Sequence, residues 1–259
     1  MTEVRVSDPR ERDELYELWA RVFNEDRAWL DRFFTLRYAP HNIFVARVDG
    51  VLASALHALP ASYVQGGCES PCAFIVGAAT DERYRRRGLM ATLLEAAASS
   101  CQKPITLFPA VRGFYEANGY TTTSSLLSFD LEEEPGPHAS PHPAQWQTLD
   151  RIYRAANERE GYLVRDKAAW AFLGEGYQTV SIDDAYAFIN GEVAVEAFAL
   201  TDSAAATLVE ILPKMGVKRV QTLPDSPLSR LLGQKNGVPT PMGMSTHTTL
   251  LGVYIAEQY

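Results

Sequence analysis

The stretch Ile75-Val-Gly-Ala-Ala-Thr-Asp-Glu-Arg-Tyr-Arg-Arg-Arg-Gly-Leu-Met-Ala-Thr-Leu-Leu-Glu95 changes its pattern twice. Phe74 to Thr80 is a short apolar run, which reads as a buried strand. Arg85, Arg86, Arg87 and Gly88 follow, and then Leu89, Met90, Leu93, Leu94 and Ala97 recur at helical spacing among strong helix formers. The order is strand, basic glycine loop, helix N-terminus. First-turn N–H groups of a helix lack carbonyl partners and sit at the positive end of its dipole. A phosphate can accept several of them at once, and Gly88 has no Cβ to hold the backbone away. On these residues alone, a solvated basic loop capping an ordinary helix fits equally well.

A second segment narrows the choice. Ile105-Thr-Leu-Phe-Pro-Ala110 reads as another buried strand, and Phe114-Tyr-Glu-Ala-Asn-Gly-Tyr120 as a short helix ended by a glycine. Taken together, Arg85-Arg-Arg-Gly88-Leu-Met90 resembles motif A of the GNAT acetyltransferases, Arg/Gln-x-x-Gly-x-Gly/Ala, with Met90 in place of the family's last small residue. The 114–120 segment resembles GNAT motif B, Phe-Tyr-Glu-x-x-Gly-Phe. Arg-Gly-Leu-Met and Gly77-Ala-Ala-Thr80 are similar to the wording of one GNAT branch, the Eis (enhanced intracellular survival) enzymes.

The resemblance implies acetyl-CoA as co-substrate and assigns roles. Ala78, Ala79 and Thr80 would pair with the pantetheine arm. Arg85, Arg86, Arg87, Gly88, Leu89, Met90 and Ala91 would hold the pyrophosphate, and Ala110 and Val111 would border the thiol. Tyr115 would protonate the departing thiolate, a transfer suited to a phenol because the two groups' ordinary pKa values lie within about two units. Packing of the helix onto the sheet is the other reading of Tyr115. Phe23 and Trp29, from an opening helical pair, become acceptor contacts, with core packing as their alternative. The general base is fixed by no motif. Glu25, Glu82 and His57 are candidates, and the Eis resemblance adds a C-terminal carboxylate, here at Tyr259.

Composition agrees with an enzyme of this kind. The 259 residues are 46% hydrophobic and 22% charged, enough for a sizeable core. No signal peptide or membrane-length apolar run stands out, so a cytoplasmic location is expected. Cys68, Cys72 and Cys101 form no framework pattern, and no histidine pair lies at ligand spacing near them, so free thiols and no metal are expected. A net charge of −8 argues against nucleic acid and anionic membrane as partners. Cationic amines are the better match. A homo-oligomer is compatible with the sequence.

Along the chain, Glu11 to Phe23 and Arg27 to Leu36 read as helices, with Asp8-Pro9 as the first start signal. Asn42 to Val48 and Val51 to Leu59 flank the turn dipeptide Asp49-Gly50, and Pro60 is expected to end that hairpin. Glu132 to Pro143, rich in charge and proline, is linker composition. Beyond it, Trp146 to Glu158 and Arg165 to Phe172 read as helices. Ala187 to Leu200 can be laid on Ala46 to Leu59 without a gap, aligning Gly191 with Gly50. Matching Asn236-Gly237 to Asn118-Gly119 puts Gly233 where Tyr115 stands, so this second copy lacks both cradle and acid.

The expectation is an α/β protein (α+β in some schemes) of two tandem GNAT-like folds, each a mixed, mostly antiparallel sheet flanked by helices, the second degenerate. The domains expected are residues 1–131, a linker 132–143, and residues 144–259. The expected function is acetyl-CoA-dependent N-acetylation of a primary amine, on a small molecule or a peptide, by direct attack. A non-catalytic acyl-CoA sensor and a Fem-like aminoacyl transferase are the alternatives.

Overall fold

The computed structural model describes residues 1–24, 27–132 and 145–257. In chain order these form β1 (Thr2–Val6), α1 (Arg12–Phe23), α2 (Arg27–Leu36), β2 (Ile43–Val48), β3 (Val51–Gln65), β4 (Cys68–Thr80), α3 (Leu89–Cys101), β5 (Ile105–Leu107), α4 (Arg112–Ala117) and β6 (Thr121–Thr122). They continue with β7 (Ser125–Asp130), α5 (Trp146–Asn157), β8 (Tyr162–Leu163), α6 (Lys167–Gly176), β9 (Gln178–Ile182), β10 (Ala185–Asn190), β11 (Val193–Ala199) and α7 (Asp202–Lys214). The last are β12 (Arg219–Thr222), α8 (Pro227–Leu231), β13 (Val238–Pro241) and β14 (Met244–Ser245). Two compact units result. One holds Met1–Val64, Cys68–Thr123 and Gly243–Tyr259, the other Gln65–Gly67 and Ser124–Met242.

In the first unit the strands lie in the order β1-β2-β3-β4-β5-β14-β6. The turn between β2 and β3 has positive φ at both Asp49 (50°) and Gly50 (82°), the primed geometry that matches strand twist. Pro60 does not end β3, which runs on to Gln65. Proline is tolerated in a strand where its missing N–H is not needed by the ladder, and Pro60 is exposed. Strand β4 is parallel to β5, pairing Ala73 with Ile105 and Ile75 with Leu107, and α3 is the crossover. Leu89, Leu93, Leu94 and Ala97 of α3 are buried with Phe44, Leu56 and Ile75 of the sheet, realising the helical stripe read from the sequence. On α1, Leu15, Leu18 and Trp19 are buried.

The second unit's sheet has the order β13-β7-β12-β11-β10-β9, with β11 parallel to β12 and α7 between them. The helix expected from Arg165 starts at Lys167 instead, behind an Asp166 cap whose Oδ1 accepts from Ala169 N at 2.6 Å. Arg165 stays outside the helix to make a buried two-pronged pair with Glu196, both bonds 2.7 Å.

The units agree element by element. Strands β9, β10 and β11, helix α7 and strand β12 follow the order of β2, β3, β4, α3 and β5, and each ends in a parallel pair. By this order β10 and β11 occupy the places of β3 and β4, whereas the gapless overlay puts them on β2 and β3. An alanine-rich alternation around a glycine turn describes any half-buried hairpin, so period two alone does not say which hairpin it is. Each sheet is then completed by an antiparallel strand from elsewhere in the chain. Strand β7 follows β6 in sequence but pairs with β12, and β14 follows β13 but pairs with β5. The exchange is reciprocal, and it returns the segment after Gly243, expected in the second domain, to the first unit.

Candidate active site

Strands β4 and β5 share a ladder only as far as Ile75 and Leu107. The expected strand through Ala110 stops at Leu107, because Pro109 offers no N–H to continue the pairing. Beyond that point Phe108, Pro109 and Ala110 part from Val76, Gly77 and Ala78, and a cavity of about 320 Å³ opens between them. Its remaining lining includes Phe23, Trp29, Phe74, Tyr115 and Glu257.

Gly77 shapes one wall of this opening. Its φ is +63°, and a Cβ there would come within 1.7 Å of the Trp19 ring. Only a glycine lets the fully buried Trp19 indole lie against β4 at this point. Trp19 in turn meets Phe23 edge-on at 5.9 Å, and Trp29 stacks on Phe33 at 5.9 Å. The expected acceptor contacts Phe23 and Trp29 thus both reach the cavity, held by the core of α1 and α2.

Tyr115 also reaches it, from α4. The residue is buried against Phe114 and Tyr120, with ring centroids 5.2 and 5.7 Å away. Burial pushes its phenol up to about 12, so it carries its proton throughout the neutral range.

The glycine loop leads from β4 to α3. Asp81 caps a short 3-10 turn, Glu82–Tyr84, by accepting from Arg83 N. Its buried carboxylate is gripped by the Arg83 side chain at 3.0 and 2.9 Å and reached by Arg21 at 3.4 Å. These bonds, with Arg83 foremost, hold Asp81 down at about 2. Gly88 follows as the N-cap of α3, with φ +76° and open space where a Cβ would be. Arg85 donates to Thr80 O at 3.2 Å, and Arg87 donates to Arg83 O at 3.1 Å while lying over the Tyr84 ring. Arg85, Arg86, Arg87 and Gly88 are all exposed around the helix N-terminus. Leu89 is buried, and Met90 and Ala91 are half-buried. Met90 packs on the core, which gives the larger residue of the motif a place away from the loop.

Other candidates are set apart. Ala79 is fully buried, its carbonyl accepting from Ser54 Oγ at 2.9 Å, and Ser54 also meets Thr80 Oγ1 at 2.8 Å. Val111 is 64% exposed and does not line the cavity, in contrast to Ala110. His57 is fully buried between Trp19, Phe33, Phe34 and Tyr38, with neither ring nitrogen hydrogen-bonded. Desolvation drives it down to about 3, so it is neutral and walled off from the cavity. Glu82 is exposed and lines a separate opening with Arg21, Val22, Asp81, Arg83 and Arg85. Glu25 and Tyr259 lie outside the described residues.

Two acidic residues escape the sequence reading. Asp81 carries a signal, an Asp two residues before an Arg at a strand end, though a local cap is all it suggests. Glu257 carries none. It reaches the cavity because β14 pairs with β5, a contact across more than a hundred residues. Among the described residues, no group of three or more His, Cys, Asp and Glu could hold a metal, and no helix is long and apolar enough to cross a membrane.

The parallel pair thus splays at a proline, beside a helix N-terminus opened by glycine. Residues 3–123 match the model of the acetyltransferase (GNAT) domain. This match spans just under half of the chain and supports, for that segment, the GNAT N-acetyltransferase class expected from the sequence. Among solved structures it is similar to a protein of Enterococcus faecalis V583 described as a probable N-acyltransferase, at 17% identity and TM-score 0.70, over 95% of this chain and 72% of that one. A GCN5-related N-acetyltransferase from Anabaena variabilis gives 16% identity and TM-score 0.70, over 96% and 74%. Eis1 from Mycobacterium abscessus gives 16% and 0.64, over 94% and 73%. These likenesses concern the fold. No curated protein matches the sequence.

Proposed function

We propose that the protein is an acetyl-CoA-dependent N-acetyltransferase that acetylates a primary amine by direct attack. The observation that carries this reading is the convergence of Ala78, Ala110 and Tyr115 on one cavity between diverging parallel strands. The pantetheine arm of acetyl-CoA lies along β4 at Gly77 and Ala78, and its pyrophosphate meets the α3 N-terminus at Gly88, with Arg86 and its neighbours supplying positive charge. Tyr115, protonated at neutral pH, gives its proton to the thiolate that leaves. The second unit is a degenerate copy of the first, in the arrangement of the Eis branch, and β14 joins the first sheet beside β5.

Thiol release from acetyl-CoA in the presence of primary amines tests the reading. Tyr115→Phe should lower kcat by about ten-fold or more, on the scale of a lost general acid, with acetyl-CoA affinity unchanged. Unaltered kcat removes Tyr115 from the reaction. An acyl-CoA sensor without turnover is the outcome if the parent binds acetyl-CoA but releases no thiol with any amine.

A further inference from the structure

A protonated amine cannot attack a thioester, so a transfer of this kind needs a proton acceptor at the site. Among the described residues lining the cavity, Tyr115 and Glu257 are the ones with ionisable side chains, and Tyr115 holds its proton. His57 and Glu82 lie elsewhere, as described above.

Glu257 is firmly positioned. It is 2% exposed, and the residues before it, Val253 to Ala256, are buried as well. Gly243 N donates to Ile255 O at 2.8 Å, and a Cβ on Gly243 would fall 2.5 Å from Ile255 Cβ. Gly252 N donates to Thr123 O at 2.7 Å, and Thr246 Oγ1 accepts from Ile105 N at 3.2 Å. The segment is therefore pinned to Thr123 and Gly243, next to β14, and arrives at the cavity with a fixed backbone. Phe23, Trp29, Phe74 and Phe108 contribute rings to the same cavity, and Ala256 N donates to Glu257 Oε2 at 3.2 Å. A carboxylate among aromatic faces is a site for an organic cation, since both the charge and the ring quadrupoles attract it.

We infer that Glu257 is the general base of the reaction, and that the acceptor is a cationic primary alkylamine on an apolar or ring-bearing body seated among these rings. Glu257 takes one proton from the ammonium. The freed lone pair forms the C–N bond to the thioester carbonyl carbon. The C–S bond then breaks, its electron pair stays on sulfur, and the sulfur takes the Tyr115 proton. Of the two protons the attacking nitrogen still carries, one restores Tyr115 and the other stays on the amide, and the proton on Glu257 passes to solvent. One proton is released per turnover. This assignment rests on the acetyltransferase reading of the same cavity.

The test measures thiol release from acetyl-CoA at pH 7.5 with two nucleophiles, phenethylamine, which is cationic there, and hydroxylamine, which is not. Acetyl-CoA affinity is measured alongside by calorimetry. Glu257→Gln should lower kcat/KM for phenethylamine about 100-fold or more, the scale of general base catalysis. It should change that for hydroxylamine less than ten-fold and acetyl-CoA affinity less than two-fold. Glu257→Asp, which keeps a carboxylate one methylene further back, should fall between parent and Gln variant, and it serves as the probe if the Gln variant does not fold. A Gln variant within three-fold of the parent on phenethylamine, or an equal loss on both nucleophiles, overturns the role of Glu257 and leaves the acetyltransferase reading standing. Acetyl-CoA binding by the parent without acetylation of either nucleophile overturns the acceptor assignment. No acetyl-CoA binding by the parent overturns the reading beneath it.

Discussion

Gly77→Ala probes the link between the core of α1 and the cavity. The substitution places a methyl carbon 1.7 Å from Trp19 Cζ2 and 2.1 Å from Cη2, on a backbone with φ +63°. The left-handed conformation costs an L-residue about 1–2 kcal/mol. Trp19 is fully buried and cannot simply swing aside, so the overlap adds about 1–3 kcal/mol of overpacking. The variant should therefore lose about 2–5 kcal/mol, a large share of a typical total stability, and melt about 6–15 °C lower. Urea unfolding followed by far-UV circular dichroism gives the number. Because Trp19 touches Phe23, a displaced indole should also perturb the cavity wall. Combining Gly77→Ala with Trp19→Leu separates the two costs. The double variant should be at least about 1 kcal/mol more stable than additivity predicts, since the smaller side chain leaves room for the methyl. A loss below about 1 kcal/mol for Gly77→Ala, or strict additivity with Trp19→Leu, would refute this account of why β4 carries a glycine there.

Other consequences can be checked separately. Gly88→Asp and Gly88→Asn should carry the same strain, since each puts a side chain on a backbone with φ +76°, but the Asp variant should bind acetyl-CoA more weakly. A carboxylate about 4 Å from a phosphate charge costs roughly 1–4 kcal/mol between water-like and surface-like screening, and the gap should shrink in high salt. Equal binding by the two would count against a phosphate at Gly88. The carboxyl of Asp81 is held down at about 2, so its stabilisation is full above the ordinary pKa near 4 and is lost as pH falls toward 2. Asp81→Asn should thus be less stable than the parent at pH 7 and indistinguishable near pH 2 in thermal melts. His57 behaves in the same direction for the opposite reason, since its neutral form is favoured by burial down to about 3. The parent should lose stability as pH drops from about 6.5, and His57→Phe should flatten that slope while leaving kcat in place. A collapse of kcat in that variant would reinstate His57 as a catalytic group.

Much of the first unit was legible locally. The strand, glycine loop and helix around Gly88, the helices bearing Trp19 and Phe33, and the Asp49-Gly50 turn all follow from periodicity and turn chemistry over short spans. What escaped depends on partners far apart in the chain. Pro60 looks like a breaker until its exposure is known, and Phe108 to Ala110 look like strand until the loss of pairing at Pro109 is seen. The resemblance of Ala187–Leu200 to Ala46–Leu59 is real as pattern, yet it names the wrong hairpin, because two-residue alternation is shared by every half-buried pair. Glu257 is the extreme case. Its neighbours Ile255, Ala256 and Gln258 say nothing of a site, and only the exchange of β7 and β14 between sheets brings it to Tyr115's cavity.

Calorimetric titration of the intact protein with acetyl-CoA tests the central claim most directly. The account predicts saturable one-to-one binding in the micromolar range for the parent, weakened about five-fold or more by Gly88→Asp and unchanged by Tyr115→Phe. Absence of heat with the parent, or equal binding by Gly88→Asp, would contradict it, because the helix N-terminus at Gly88 would then hold no phosphate.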